Sequence, residues 1–354
     1  METKRYYNLD LMKCIAIFFV VFSHSFYADR DIINSESILA NVNYCFNGLL
    51  SAGVPIFLFV NGYLLFSKPF NLKKHVSKCI KLVVMTAFWC PVLFFLYDWI
   101  KDEPFESGRF VSGILNMNED LNVFWFMGAL FCVYIWFPAL KALYDANIKA
   151  FIYFTAVSAF FVFGLNFISH ILEYLYVASD KDPVSINFPL LSMFITSNFM
   201  TVYFCFGGLV YMYKEKIALF PAKKRYIICC IGIVLSALML YSYAFFKSVT
   251  LNGHSWNIVT GGYSSVSMMC SSVFWYGLCM DYKKSNKIVA LVSKNTLGIY
   301  ILHLLVLNLS NKLLLSQKYM DNLLLIALYV VFVIAVCLGI IWILKKIPLI
   351  KKII

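Results

Sequence analysis

The sequence predicts an all-α integral membrane protein: a polytopic helical bundle of about ten transmembrane helices, both termini cytoplasmic. Three observations lead there. Of 354 residues, 62% are hydrophobic and only 14% charged, where a soluble chain would carry about a quarter charged residues. Apolar stretches of membrane-spanning length, about 20 residues, recur from end to end. Lys and Arg cluster in every second connection, as the orientation rule for cytoplasmic loops requires.

The spans fall in order. The first, near 11–28, holds the run from Cys14 to Tyr27. It is too long for a signal peptide and lacks a small-residue cleavage site, so it reads as a mature span. The second, near 46–66, is followed by the inner cations Lys68, Lys73 and Lys74. The third lies near 79–97, and the fourth, near 122–140, opens on Phe124-Trp-Phe-Met127. The fifth lies near 150–172. The sixth, near 192–213, runs into an inner loop with Lys214, Lys216, Lys223, Lys224 and Arg225. The seventh and eighth lie near 226–246 and 258–280, the latter followed by Lys283, Lys284 and Lys287. The ninth, near 288–310, contains His303, and the tenth, near 322–344, ends at Lys345 and Lys346.

Ten crossings from a cytoplasmic N-terminus leave seven cations outside: Arg30, Lys101, Arg109, Lys181, Lys247, Lys312 and Lys318. The other 23 of 30 lie inside or at inner span ends. One span more or fewer would invert every later loop. The net charge of +12 is thereby explained by topology, assisted by anionic lipid at the inner leaflet, and implies no nucleic-acid partner. The loops are too short for a separate domain, so 1–354 reads as a single membrane domain, helical because lipid-exposed backbone must satisfy its own hydrogen bonds. The 11 cysteines are scattered through spans without CxxC pairing and read as small hydrophobes. No Walker loop, GxGxxG or HExxH is present, so neither a metal site nor nucleotide hydrolysis has support.

Chemistry is carried by the few polar groups inside the spans. Of five histidines, His75 falls in an inner loop, and His170 and His254 lie near or in outer loops. Only His24 and His303 sit deep. His24 is about 14 residues from the inner end of its span, roughly 21 Å, and His303 about 15 residues, roughly 22 Å. The two rings can therefore meet at one depth, either as polar groups bonding another helix or as a functional pair. Intramembrane ionisable groups usually mark a site, and imidazole suits proton transfer near neutral pH. Asp10 and Lys13, three apart near the inner end of span 1, share a helix face and can pair. Lys13 then either snorkels beside its counter-ion or holds a cation at the mouth of a path to His24. Lys78 and Lys81, with Lys68, Lys73 and Lys74, make an inner cationic corner. It serves orientation alone or a phosphate-rich ligand.

Three segments resemble the acyltransferase 3 family of membrane O-acyltransferases. The stretch from Asn8 to His24 resembles the family's first-span signature of an arginine, ten residues and a histidine, with Lys13 in the arginine's place. Val54-Pro-Ile-Phe-Leu-Phe-Val-Asn-Gly-Tyr-Leu-Leu65 resembles its second-span motif, with Asn61 where serine is usual. Leu297-Gly-Ile-Tyr-Ile-Leu-His303 resembles its penultimate-span motif, and Phe124-Trp-Phe-Met127 the aromatic start of its fourth span. Lys78 and Lys81 stand where the family tends to have arginines. The resemblance implies an enzyme of the bacterial cytoplasmic (plasma) membrane that binds no cofactor. Its co-substrate would be a cytosolic acyl-coenzyme A, most often acetyl-CoA, and its acceptor a sugar hydroxyl of a lipid-linked or surface glycan.

The residues fit that chemistry. Acyl transfer to an alcohol needs a base within hydrogen-bond reach, for which His24 is the candidate. It also needs donors for the oxyanion. His303 and Tyr300, three apart on one face, are placed to orient His24 or to serve there. Lys13 with Asp10, and Lys78 and Lys81, are the expected donor-binding residues. Trp125 is placed to stack on an acceptor sugar, or to sit as an interfacial belt tryptophan. Two other classes remain open: a glycan or solute transporter, for which inverted repeats are expected and not found, and a glycan polymerase or ligase, for which a large basic outer loop is expected and not found.

Overall fold

The computed structural model describes residues 5–25, 42, 45–46, 48–108, 110–111, 123–179, 199–250, 262–314, 323–348 and 350–353. Among them stand ten helices of 14 residues or more, one at each expected span, and no strand. They are α1 (Tyr7–Ser25), α2 (Gly53–Phe66), α3 (Leu72–Lys101), α4 (Trp125–Ala146) and α5 (Ile148–Val177, with a π-turn at Phe160–Gly164). Then come α6 (Phe199–Ala218), α7 (Ala222–Thr250), α8 (Val266–Cys279), α9 (Lys287–Leu314) and α10 (Leu323–Leu344). Eight are long and apolar enough to cross a membrane; α8 is apolar but shorter, and α6 ends in Lys214, Glu215 and Lys216. The expected ends at 26–28, 122, 192–198, 258–261 and 322 lie outside the described residues.

Several helices overrun their apolar runs, because caps rather than hydropathy stop them. Asn71 accepts from the Lys74 amide at 2.9 Å and starts α3 seven residues before the expected span. Asn147 and Ser265 cap α5 and α8 in the same way. Such caps satisfy amides that have no partner within the helix. At its other end α3 stops on Asp102 in the left-handed conformation. His75 thus lies in the early turns of α3 and is buried, not in a loop. Its Nε2 contacts the Tyr134 carbonyl oxygen at 2.7 Å, and its ring faces Phe70 and Phe137.

The chain forms two compact units that interleave along the sequence. The first comprises Met1–Phe19, Tyr27–Lys68 and Ala142–Ser285; the second comprises Val20–Phe26, Pro69–Lys141 and Asn286–Ile354.

In the first unit α2 and α6 meet backbone to backbone. A Cβ on Gly62 would sit 1.9 Å from the Phe204 carbonyl oxygen, and one on Gly207 would sit 2.0 Å from that of Phe59. Small residues let membrane helices approach this closely, which favours dispersion contacts. Where α7 begins and α8 ends, buried Arg225 donates to Phe220 O and Gly277 O and pairs with Asp281. In the second unit Lys312, on the last turn of α9, donates to Ile100 O and Asp102 at the end of α3, both at 2.6 Å.

These contacts check the crossing order within each unit. Ten alternating spans require α7 to start where α8 ends, and α3 and α9 to finish on one side, as found. The sidedness rests on the Lys and Arg asymmetry. A reporter active only outside the membrane should be silent when inserted after residue 220 and active after residue 104. The reverse pattern would overturn the orientation.

Candidate active site

The last turn of α1 brings His24 to α9. Its ring centroid lies 5.1 Å from that of His303, with the planes tilted by 51°. The flanking serines are engaged elsewhere: Ser23 and Ser25 donate to the carbonyls of Val20 and Phe22, at 2.9 and 2.8 Å. Neither hydroxyl is paired to His24 as a nucleophile. His24 itself is exposed.

His303 is fully buried, at 0% exposure. Its Nδ1 lies 2.6 Å from the Tyr300 carbonyl oxygen. A carbonyl only accepts, so Nδ1 carries the proton and donates it there, and in the neutral ring Nε2 is the acceptor nitrogen. That Nε2 is buried and has no hydrogen-bond partner among the described residues. Leaving a buried polar atom unpaired costs about 1–3 kcal/mol, so this nitrogen stands out as one a function could use.

Tyr300 holds this geometry from both ends. Its carbonyl fixes the His303 tautomer, while its buried hydroxyl donates to Val123 O at 2.9 Å. That bond pins the turn before α4 onto α9. Phe126 packs on the Tyr300 ring at 5.1 Å, and half-buried Trp125 stands beside Phe126 at the first position of α4. The structure therefore brings His24, His303, Tyr300 and the Trp125 segment together in the second unit. With its hydroxyl proton committed to Val123, Tyr300 positions His303 rather than presenting a spare donor.

The cations separate into two groups. In the first unit Arg5 Nε donates to Asp10 Oδ2 at 2.6 Å. Asp10 is thus held by Arg5, where the sequence suggested Lys13. Arg5 precedes the helix, and its side chain reaches forward to the carboxylate. Lys13 feels Asp10 as attraction and Lys68 and Arg5 as repulsion. In the second unit Lys78 and Lys81 are exposed on the early turns of α3. Lys345, just past α10, donates to Asn295. Burial, and then the Lys81 charge, hold its ammonium below the usual lysine range. Positive charge is therefore crowded at this corner too.

The family model described as an acyltransferase domain, that of the acyltransferase 3 family, matches residues 6–342, nearly the whole chain. The chain belongs to the acyltransferase 3 family. It is a multi-pass membrane acyltransferase, which decides against the transporter and the polymerase. No curated protein and no solved structure matches it.

Sequence reasoning missed some groups of this acyltransferase 3 protein. Glu173 reads as a loop charge beyond the apolar run, yet α5 continues to Val177 and buries it. There it meets the Tyr243 hydroxyl, on whose ring His170 stacks at 3.5 Å. The only sequence signal was the three-residue spacing of His170 and Glu173, which puts them on one helix face.

Proposed function

We propose that this acyltransferase 3 protein moves an acyl group, acetyl foremost, from cytosolic acyl-coenzyme A to a sugar hydroxyl. The acceptor is a lipid-linked or surface glycan at a bacterial plasma membrane. The observation that carries this reading is the His24–His303 pair, with an unpartnered acceptor nitrogen behind an exposed imidazole.

The chemistry follows from the tautomers. Tyr300 O holds the proton of His303 on Nδ1. His303 Nε2 can then accept from one ring nitrogen of His24, so that the other His24 nitrogen is the free base. A base oriented by a second group is the usual arrangement for activating a hydroxyl. His24 takes the sugar O–H proton, and the oxygen attacks the thioester carbonyl. The tetrahedral intermediate then expels the coenzyme A thiolate, which recovers the proton from His24. An alcohol and a thioester become an ester and a thiol, with no redox change. Lys13 with Asp10, and Lys78 and Lys81, bind the donor, and Trp125 stacks on the acceptor sugar.

Membranes containing the wild-type protein should release thiol from acetyl-CoA, and added lipid-linked glycan from the source cell should accelerate the release. Thiol release no greater than in membranes holding His24→Ala, with acetyl-, propionyl- and succinyl-CoA alike, would overturn this reading.

A further inference from the structure

The inner end of the second unit carries charge that no acid of that unit balances. By the crossing order, eleven of its lysines lie at the inner ends of α3, α4, α9 and α10 or just outside them. Its seven acidic residues lie elsewhere: six between Asp98 and Asp120 and the last at Asp321, all at outer ends or in outer connections. The orientation rule counts Lys and Arg and is nearly blind to acids, so it does not demand this separation. The first unit obeys the same rule and still sets Asp10 against Arg5 and Asp281 against Arg225.

The unbalanced charge converges where α9 begins and α10 ends. Asn295 Nδ2 donates back to Leu291 O at 2.7 Å, leaving Oδ1 to accept from the Lys345 ammonium. An ammonium has three N–H donors, and this is the one bond Lys345 makes among the described residues. An asparagine holds the lysine without neutralising it. Lys81 of α3 adds a repelling charge. The Lys346 ammonium lies 3.6 Å over the Trp342 ring, which is 64% exposed. Lys81, Lys345 and Lys346 make no ion pair among the described residues. The same rim is also apolar. Leu291, one turn before Asn295, and Ile343, two residues before Lys345, are exposed. An exposed tryptophan at a helix end marks the membrane interface, the level at which phospholipid headgroups lie. A free polyanion from the cytosol would use the ammonium groups and leave the apolar rim bare. A phospholipid uses both.

We propose that the inner ends of α9 and α10 form a binding site for an anionic phospholipid: its phosphate rests on Lys345 and Lys346, and its acyl chains lie along Trp342, Ile343 and Leu291. The site is independent of the acyl-donor reading, which uses Lys78 and Lys81 of α3. An occupied site ties α10 to α9, the helix that carries His303.

The test is equilibrium binding of tail-labelled phosphatidylglycerol to the detergent-solubilised full chain. Tail-labelled phosphatidylcholine, whose headgroup has no net charge, is the control. The wild type should prefer the anionic lipid. Lys345→Gln and Lys346→Gln should each weaken phosphatidylglycerol about fivefold, the contribution of one lysine at an anionic surface, and leave phosphatidylcholine unchanged. Asn295→Asp supplies an internal carboxylate for Lys345 and should weaken phosphatidylglycerol as much, although every lysine remains. Lys223→Gln removes an exposed inner cation of the first unit and should be silent. Equal wild-type affinity for the two lipids would overturn the proposal. So would Lys345→Gln, Lys346→Gln and Asn295→Asp binding phosphatidylglycerol like the wild type, or losing both lipids equally. A loss in Lys223→Gln as large as in Lys345→Gln would reduce the preference to overall positive charge and overturn the site. Displacement of the lipid by an equal concentration of inorganic phosphate would make the occupant a soluble anion and overturn the lipid.

Discussion

His24→Ala, compared at equal membrane abundance, should lower acyl transfer more than a hundredfold, the usual contribution of a positioned general base. The loss is chemical rather than structural. His24 is exposed and its neighbouring serines bond their own helix, so truncation leaves no core cavity and α1 keeps its last turn. His303 is different, because it is fully buried. His303→Asn retains an N–H for the Tyr300 carbonyl and loses the acceptor nitrogen. It should fold and still fall well below the wild type in rate, because His24 then has nothing to orient it. Thiol release and ester formation measured together decide the matter. Near-wild-type transfer by His24→Ala would remove this residue from the mechanism.

Gly62→Ala should deplete the membrane of folded protein. The new Cβ would lie 1.9 Å from the Phe204 carbonyl oxygen and 2.7 Å from its carbon. Both are backbone atoms and cannot swing aside, so α2 and α6 must part. The cost is about 3 kcal/mol, the upper end for an overfilled site. Gly207→Ala meets the Phe59 carbonyl at 2.0 Å from the other side and should behave alike. Gly128→Ala and Gly339→Ala meet nothing within 4 Å and should be silent. Thermal unfolding followed by size-exclusion chromatography in detergent checks all four. A Gly62→Ala protein that accumulates and melts like the wild type would refute the backbone contact.

That glycine also shows how the sequence encodes the fold. Asn61-Gly62-Tyr63 looks like a site motif, and part of what it specifies is packing. Gly62 admits α6, while Tyr63 turns to the aromatic cluster. The spans were legible because a bilayer demands long apolar runs, which hydropathy reads directly. Their ends were not, because Asn71 and Asp102 stop α3 through local hydrogen bonds and backbone conformation. The division into two interleaved units left no trace in composition, since each is assembled from distant segments with the same apolar character.

The site was legible in outline. Equal depth along two helices suffices to bring His24 and His303 together, and they do meet. What depth cannot show is which atoms remain unpaired. The acceptor character of His303 Nε2 follows from a carbonyl one turn back. The contact of Asp10 with Arg5 was beyond the reach of the spacing rule, which compares residues on one helix, because Arg5 lies before it.

The central claim is that this membrane acyltransferase places an acyl group on a glycan through His24. The most direct measurement is mass and NMR analysis of glycans from cells that lack the protein, cells that regain it, and cells that regain it as His24→Ala. The expected result is an acyl ester absent from the first, restored in the second and absent again from the third. Identical glycans with and without the protein, or full restoration by His24→Ala, would contradict the account.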